Sequence, residues 1–418
     1  MNKDVVKAFL SLSSFTALNH GSRIVLTLCL ARLLSTDEFG TFAALLALCE
    51  ILLLPASMGF ASSLMRISYP LYKAQQHELL RGLKHVYLAA SCLFGVIFVA
   101  AVVISFQAIS PHQSAQEHVV YLLLLVPIGA IMQSQSAFLV ALNKPKIGLI
   151  TQQCIFELLT AGFCFFVYLI RGDLSLVEIC ILLFCSILCV VSYQYWLIKK
   201  MIVASAARYQ TKQWCKDSLI MLASGAGTVL VAKLDVLLVH HWFGAQGVSI
   251  FVPAVVSAGL LTILGNAASQ YLKPILMADE NTEQQLGELM KVVWRFNFAA
   301  ILLLALLAKP LLHLYGESQL QEGFWILILL LLGQLLLPAR ILASSMIKLK
   351  GNPLINLYVL LGATSVTVLM AVLLKDQFGL MGVAVAFSGG FVLGALSRTV
   401  IVCTRMRLPF SVVLGLVR

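Results

Sequence analysis

Seven ionisable side chains interrupt long apolar stretches of this 418-residue chain: His20, Arg23, Glu50, Glu157, Lys233, Asp235 and Arg340. A charge at the centre of a membrane-spanning helix costs about 2.5–3.5 kcal/mol on insertion scales, so such a residue usually faces a cavity or a partner. Fixed cations can offset the desolvation of an anion, Arg through a bidentate fork and Lys as a point charge. Arg23, Lys233 and Arg340 are therefore candidates for a cationic substrate cavity. Glu50, Asp235, Glu157 and His20 are candidates for ion coupling, because a desolvated carboxylate or imidazole can exchange a proton. Each has a plainer reading: a carboxylate can neutralise a neighbouring cation, His20 can be a satisfied interior histidine, and Arg340 can snorkel outward.

No catalytic constellation, metal site or cofactor site is expected. His240 and His241 are adjacent, so they point apart on a helix. Most of the 10 cysteines sit inside apolar runs and read as small apolar residues. No glycine-rich phosphate loop of the Walker type occurs.

The elements that must hold these charges follow from composition. Sixty per cent of the residues are apolar and 11% are charged, and the mean hydropathy is +0.96. A soluble domain carries about 25% charged residues, so both a soluble globular and a disordered chain are excluded. A span needs about 20 apolar residues, and the composition fills about twelve. The apolar runs fall at 9–34, 40–65, 85–109, 118–142, 148–170, 176–198, 219–243, 248–272, 289–312, 323–347, 355–374 and 380–403. Met1 to Lys7 is short and basic and reads as the lead into an uncleaved first span.

The net charge of +11 is a topology signal rather than a mark of nucleic acid. Of the 29 Lys and Arg residues, only Arg171, Lys309 and Lys375 fall in the outer loops. Both termini are expected in the cytoplasm. The linker from Lys199 to Lys216 holds five cations and is expected to lie on anionic headgroups. Arg295 and Arg398, near the same face, are expected to snorkel.

The halves resemble each other at a spacing of about 209 residues: Phe39-Gly40-Thr41-Phe42 with Val248-Ser249-Ile250-Phe251, Asn143-Lys144-Pro145 with Asn352-Pro353, and Pro127 with Pro338. Lys233 answers Arg23 to within a residue or two. Six spans return the chain to its starting side, so the repeats are parallel. The expected fold is all-α and polytopic, two six-helix bundles related by a pseudo-two-fold axis along the membrane normal. Its parts are 1–198 (N-terminal bundle), 199–217 (basic cytoplasmic linker), 218–403 (C-terminal bundle) and 404–418 (cytoplasmic tail). Transporters built from parallel repeats place a substrate path between the halves.

The segment from Ala31 to Phe42, ARLLSTDEFGTF, resembles the first hairpin of Wzx-type polysaccharide repeat-unit flippases. These belong to the multidrug/oligosaccharidyl-lipid/polysaccharide (MOP) exporter superfamily. Met58-Gly59-Phe60, Lys350-Gly351-Asn352-Pro353 and the run from Phe378 to Ala386 carry the same resemblance. It implies transfer of an undecaprenyl-pyrophosphate-linked oligosaccharide to the outer leaflet of a bacterial inner membrane, and it leaves coupling to a proton or sodium gradient open. The implied partners are that lipid-linked sugar, membrane lipids and other polysaccharide-assembly proteins, with no nucleic acid. Asn19, Gln133, Ser136, Asn266 and Gln270 could line a polar path for sugar hydroxyls, or could pack helices through hydrogen bonds. A cation-coupled multidrug antiporter of the same superfamily is the alternative. A polysaccharide polymerase or ligase would carry a long outer loop, which this chain lacks.

Overall fold

A computed structural model shows an all-α polytopic membrane protein. It describes residues 18, 20–109, 125–203, 206–277, 282–316 and 320–416. Residues 20–33 form α1. There follow α2 (Thr36–Ala56), α3 (Phe60–Lys73), α4 (His77–Ile109), α5 (Leu125–Ala141), α6 (Pro145–Ile150), a π turn (Thr151–Ile155), α7 (Phe156–Arg171) and α8 (Leu176–Met201). The rest are α9 (Thr211–Ala258), α10 (Leu261–Met277), α11 (Thr282–Leu306), α12 (Ala308–Tyr315), α13 (Leu320–Gly333), a 3-10 turn (Gln334–Leu336), α14 (Leu337–Leu349), α15 (Pro353–Arg405) and α16 (Phe410–Val413). Among the described residues, eight stretches are long and apolar enough to cross a membrane. The last, Leu354–Arg405, holds two expected spans.

Local chemistry explains where these helices start and turn. Ser35 Oγ accepts from the Glu38 amide at 3.3 Å, and Glu38 Oε2 accepts from the Ser35 amide at 3.2 Å. Ser175 and Glu178 repeat this reciprocal cap at the start of α8. Each box satisfies two backbone donors that a helix start leaves without partners. The outer turns inside α9 and α15 are single glycines, Gly244 (φ +67°) and Gly379 (φ +57°). A Cβ at either would meet nothing within 4 Å, so the left-handed backbone, not space, calls for glycine. Asn352 caps α15 by accepting from the Leu354 amide at 2.9 Å, with Pro353 at the first helical position.

Four expected spans are broken rather than continuous, among them the ninth, at Leu307 between α11 and α12. The second starts earlier than expected, at Thr36, and stops at Ser57–Gly59, where Met58 (φ +50°) and Gly59 (φ +76°) are left-handed. The eighth stops at Gly259–Leu260 before α10. The tenth tightens to a 3-10 turn before Pro338. That turn has a local cause. Proline lacks an N–H and clashes with the carbonyl four residues back, here Gln334. The carbonyls of Leu335 and of Gln334, which also takes the Leu337 amide, both accept from Asn297 Nδ2 at 3.3 Å. Asn297 is fully buried, so its amide serves the backbone of its neighbour.

The chain divides into two compact units. One comprises residues 25–240. The other comprises the described residues up to Ile24 together with those from His241 onward. In the first, Phe60, Leu64, Leu80, Leu83, Tyr87 and Phe138 form a core that also buries Trp214. In the second, Leu272, Leu286, Leu289, Leu342, Ile347 and Val402 form a core that takes in Val412 and Val413 of α16. Trp294 Nε1 donates to the Val413 carbonyl at 2.9 Å, which pins the tail helix to α11.

Candidate functional site

In the unit of residues 25–240 the sequence puts Glu50 well inside α2 and Lys233 well inside the first arm of α9. The fold brings them together: Glu50 Oε2 and Lys233 Nζ form a salt bridge. The Lys233 side chain is 20% exposed and that of Glu50 28% exposed, so the pair is largely withdrawn from solvent. Asp235, two residues on, is half-buried, and its Oδ1 accepts from the Val236 amide at 2.8 Å. Glu157 is half-buried in the first turn of α7, directly after the π turn.

That π turn belongs to a buried polar cluster. The Phe156 amide reaches back five residues to the Thr151 carbonyl. Thr151 Oγ1 donates to the Ile147 carbonyl at 2.8 Å and accepts from Gln194 Nε2 at 2.7 Å. Ser136 Oγ donates to the Gly148 carbonyl at 2.7 Å, and Ser134 Oγ lies 3.4 Å from Ser91 Oγ. Ser136 is thus 1% exposed and engaged between helices, while Gln133 is half-buried. Gln135 and Gln194 are buried with their Oε1 atoms unpartnered. Gln194 and Thr151 are not among the candidates that sequence singles out. Their signal is weak: one amide and one hydroxyl in separate apolar runs.

In the other unit, Arg23 is half-buried. One turn earlier, His20 Nε2 lies 2.8 Å from Thr262 Oγ1. Thr262 donates its hydroxyl proton to the Gly259 carbonyl at 2.6 Å, so His20 is the donor and carries hydrogen on Nε2. This histidine is satisfied by the break between α9 and α10. Asn19 and the side chains of Asn266 and Gln270 lie outside the described residues.

The same unit holds a buried guanidinium, Arg398, and a half-buried one, Arg340. Arg340 on α14 lies over the Phe391 ring, 5.1 Å from its centroid, with Nη2 3.5 Å from Gln334 Oε1. Arg398 was expected to snorkel, but it is only 6% exposed. Its Nε donates to Asn356 Oδ1 at 2.7 Å and its Nη1 to the Gly394 carbonyl at 2.8 Å. Asn356, on the first arm of α15, also accepts from Ser344 Oγ at 3.4 Å, and so turns Arg398 inward. Among the described residues, every partner of the two arginines is neutral. Such a pair retains unmet attraction for an anion, and each planar fork can hold two oxygens.

No family model matches the sequence, and no curated protein matches it. Solved structures do. An inward-facing multidrug resistance MATE family transporter of the MOP superfamily superposes with a TM-score of 0.77 at 16% identity, covering 97% of this chain and 98% of that one. The MATE multidrug transporter DinF-BH gives 0.70 at 13% identity, covering 100% and 97%. A MOP superfamily transporter from Pyrococcus furiosus, described as having a binding pocket of reverse polarity that suggests a different function, gives 0.66 at 16% identity, covering 96% and 95%. The chain therefore has the fold of MATE transporters of the MOP superfamily.

Proposed function

We propose that this protein is a secondary transporter that moves an anionic, lipid-linked oligosaccharide from the cytoplasmic to the periplasmic leaflet of a bacterial inner membrane by alternating access. The observation that carries the reading is the interior pair Arg340 and Arg398, whose partners among the described residues are all neutral. A pyrophosphate linker must leave water to cross, and guanidinium forks replace part of its hydration. In the other unit Glu50 is already engaged by Lys233, so that carboxylate is not a ready seat for a cationic drug. The resemblance of the first hairpin and of the segment before α15 to Wzx-type flippases supplies the polyprenyl-pyrophosphate identity of the cargo.

A second reading, a cation-coupled multidrug antiporter, has its own support. Multidrug MATE transporters share this fold over nearly the whole chain. Protonation of Glu50 would also release Lys233, which is the kind of exchange coupling requires. The pocket of reverse polarity described for the Pyrococcus furiosus protein supports the view that this fold is not tied to one charge of cargo.

The test is made in a deletion strain of the source bacterium, with polyprenyl-linked sugars read by a probe confined to the outer leaflet. Accumulation of single repeat units out of reach of the probe, rescued by the wild type but not by Arg398→Gln or Arg340→Gln, is the expected result. Units accumulating within reach would mean that translocation is intact and would return a polymerase or ligase role. Unchanged sugar pools with raised drug sensitivity would move the antiporter reading to the front.

A further inference from the structure

A second basic site lies at the end of the unit of residues 25–240 where α4 begins and α8 ends. Arg81, Lys84 and His85 are three and four residues apart and share one face of α4. Tyr195 and Lys199 share one face of α8. These five side chains line a cavity of about 210 Å³, with Ile202 and Val203 completing its wall. Among the described residues, no carboxylate lines it. Lys84 is only 7% exposed, and its ammonium sits 4.8 Å from the centroid of the Tyr195 ring.

The extended segment 206–210 clamps the α4 side. The Arg208 amide donates to the Glu78 carbonyl at 3.1 Å, and Tyr209 OH lies 3.2 Å from His85 Nδ1. A Cβ on Gly82 would fall 1.9 Å from the Arg208 carbonyl, so glycine lets this segment lie directly on the helix. The pocket is thus braced rather than a chance gathering of surface lysines.

A buried ammonium held by an aromatic face is electrostatically incomplete. With Arg81 and Lys199 beside it, the deficit is met by a compact anion with several oxygens, which is a phosphate. The surroundings point to where that phosphate comes from. Tyr193 and Trp196 are exposed and stacked at 6.2 Å, and Lys200 lies 5.5 Å from the Trp196 ring centroid. Exposed aromatics with a lysine at the end of a spanning helix sit at headgroup depth. This is also the face where the chain gathers its basic residues, the face expected toward an anionic cytoplasmic leaflet. We propose that the pocket formed by Arg81, Lys84, Tyr195 and Lys199 binds the phosphate of an anionic phospholipid headgroup. The proposal does not rest on the cargo assigned above.

The full chain is purified in detergent. Its thermal midpoint is then titrated with phosphatidylglycerol, with phosphatidylcholine of the same acyl chains, and with inorganic phosphate. A saturable rise with phosphatidylglycerol alone is expected. Lys199→Gln and Arg81→Gln, neither of them a fully buried side chain, should each raise the half-saturating concentration about tenfold, the loss expected for one charge-assisted contact. Lys212→Gln, an exposed linker cation outside the pocket, should leave it unchanged. Equal effects of the two lipids would overturn the proposal. So would a Lys212→Gln loss as large as that of Lys199→Gln, which would make the effect diffuse surface charge. Inorganic phosphate acting as strongly as phosphatidylglycerol would make the ligand a soluble phosphate and remove the lipid.

Discussion

Replacing either partner of Glu50–Lys233 removes a salt bridge whose remaining member is largely withdrawn from solvent. An exposed ion pair contributes about 0.2–1 kcal/mol, whereas removing one member of a buried pair costs about 3–5 kcal/mol. With roughly a quarter of each side chain exposed, Glu50→Gln or Lys233→Met alone should cost about 2 kcal/mol, between those limits. For a unit of this size that corresponds to about 4–8 °C in the unfolding midpoint. The double variant removes both charges at once, so it should be no less stable than the worse single. The assay is thermal unfolding of wild type, both singles and the double, in one detergent at neutral pH and low salt. Deficits that simply add would refute the coupling, and with it the claim that Glu50 is neutralised within its own unit.

Three further outcomes follow from the helix breaks and caps. Asn297→Ala should cost about 1–3 kcal/mol by removing the buried amide that donates to the Gln334 and Leu335 carbonyls. The same change in a Pro338→Ala background, where an N–H is restored to the ladder, should cost less than half as much in the unfolding midpoint. Gly379→Ala should lose about 1–3 kcal/mol although its Cβ has open space, because at φ +57° and ψ −138° the cost is the backbone's; Gly362→Ala, at a helical glycine of α15 with equally open space, should lose nothing, and equal losses would refute the backbone account. Ser35→Ala should cost about 1 kcal/mol through the lost cap of α2, with faster amide exchange confined to its first turn.

What the sequence made legible is what depends on neighbours along the chain. Apolar runs locate spans because lipid leaves the backbone no partner but itself. Gly244 and Gly379 mark outer turns because few other residues tolerate their φ. The ambiguous residues are those whose partners lie far along the chain. Glu50 and Lys233 were each singled out, but nothing local joins α2 to α9. Arg398 was misread for the same reason: a cation near a helix end snorkels unless something turns it inward, and here Asn356 on the preceding arm does. The break at Pro338 is legible as a proline but not as geometry. Pro338 forecasts freed carbonyls, while the amide that receives them comes from α11.

The π turn at Thr151–Ile155 has one more consequence. A π turn amounts to one extra residue in an α-helix, and one residue is about 100° of rotation. The face that carries Gly148 toward Ser136 is therefore out of phase with the face that carries Glu157. Any helical wheel drawn straight through 145–171 assigns the two halves to the wrong sides of each other. Removing a single residue from 151–155 would leave every apolar residue apolar and the span long enough. It would nonetheless swing Glu157 by more than a quarter turn, so in this span length, rather than composition, decides what its carboxylate faces.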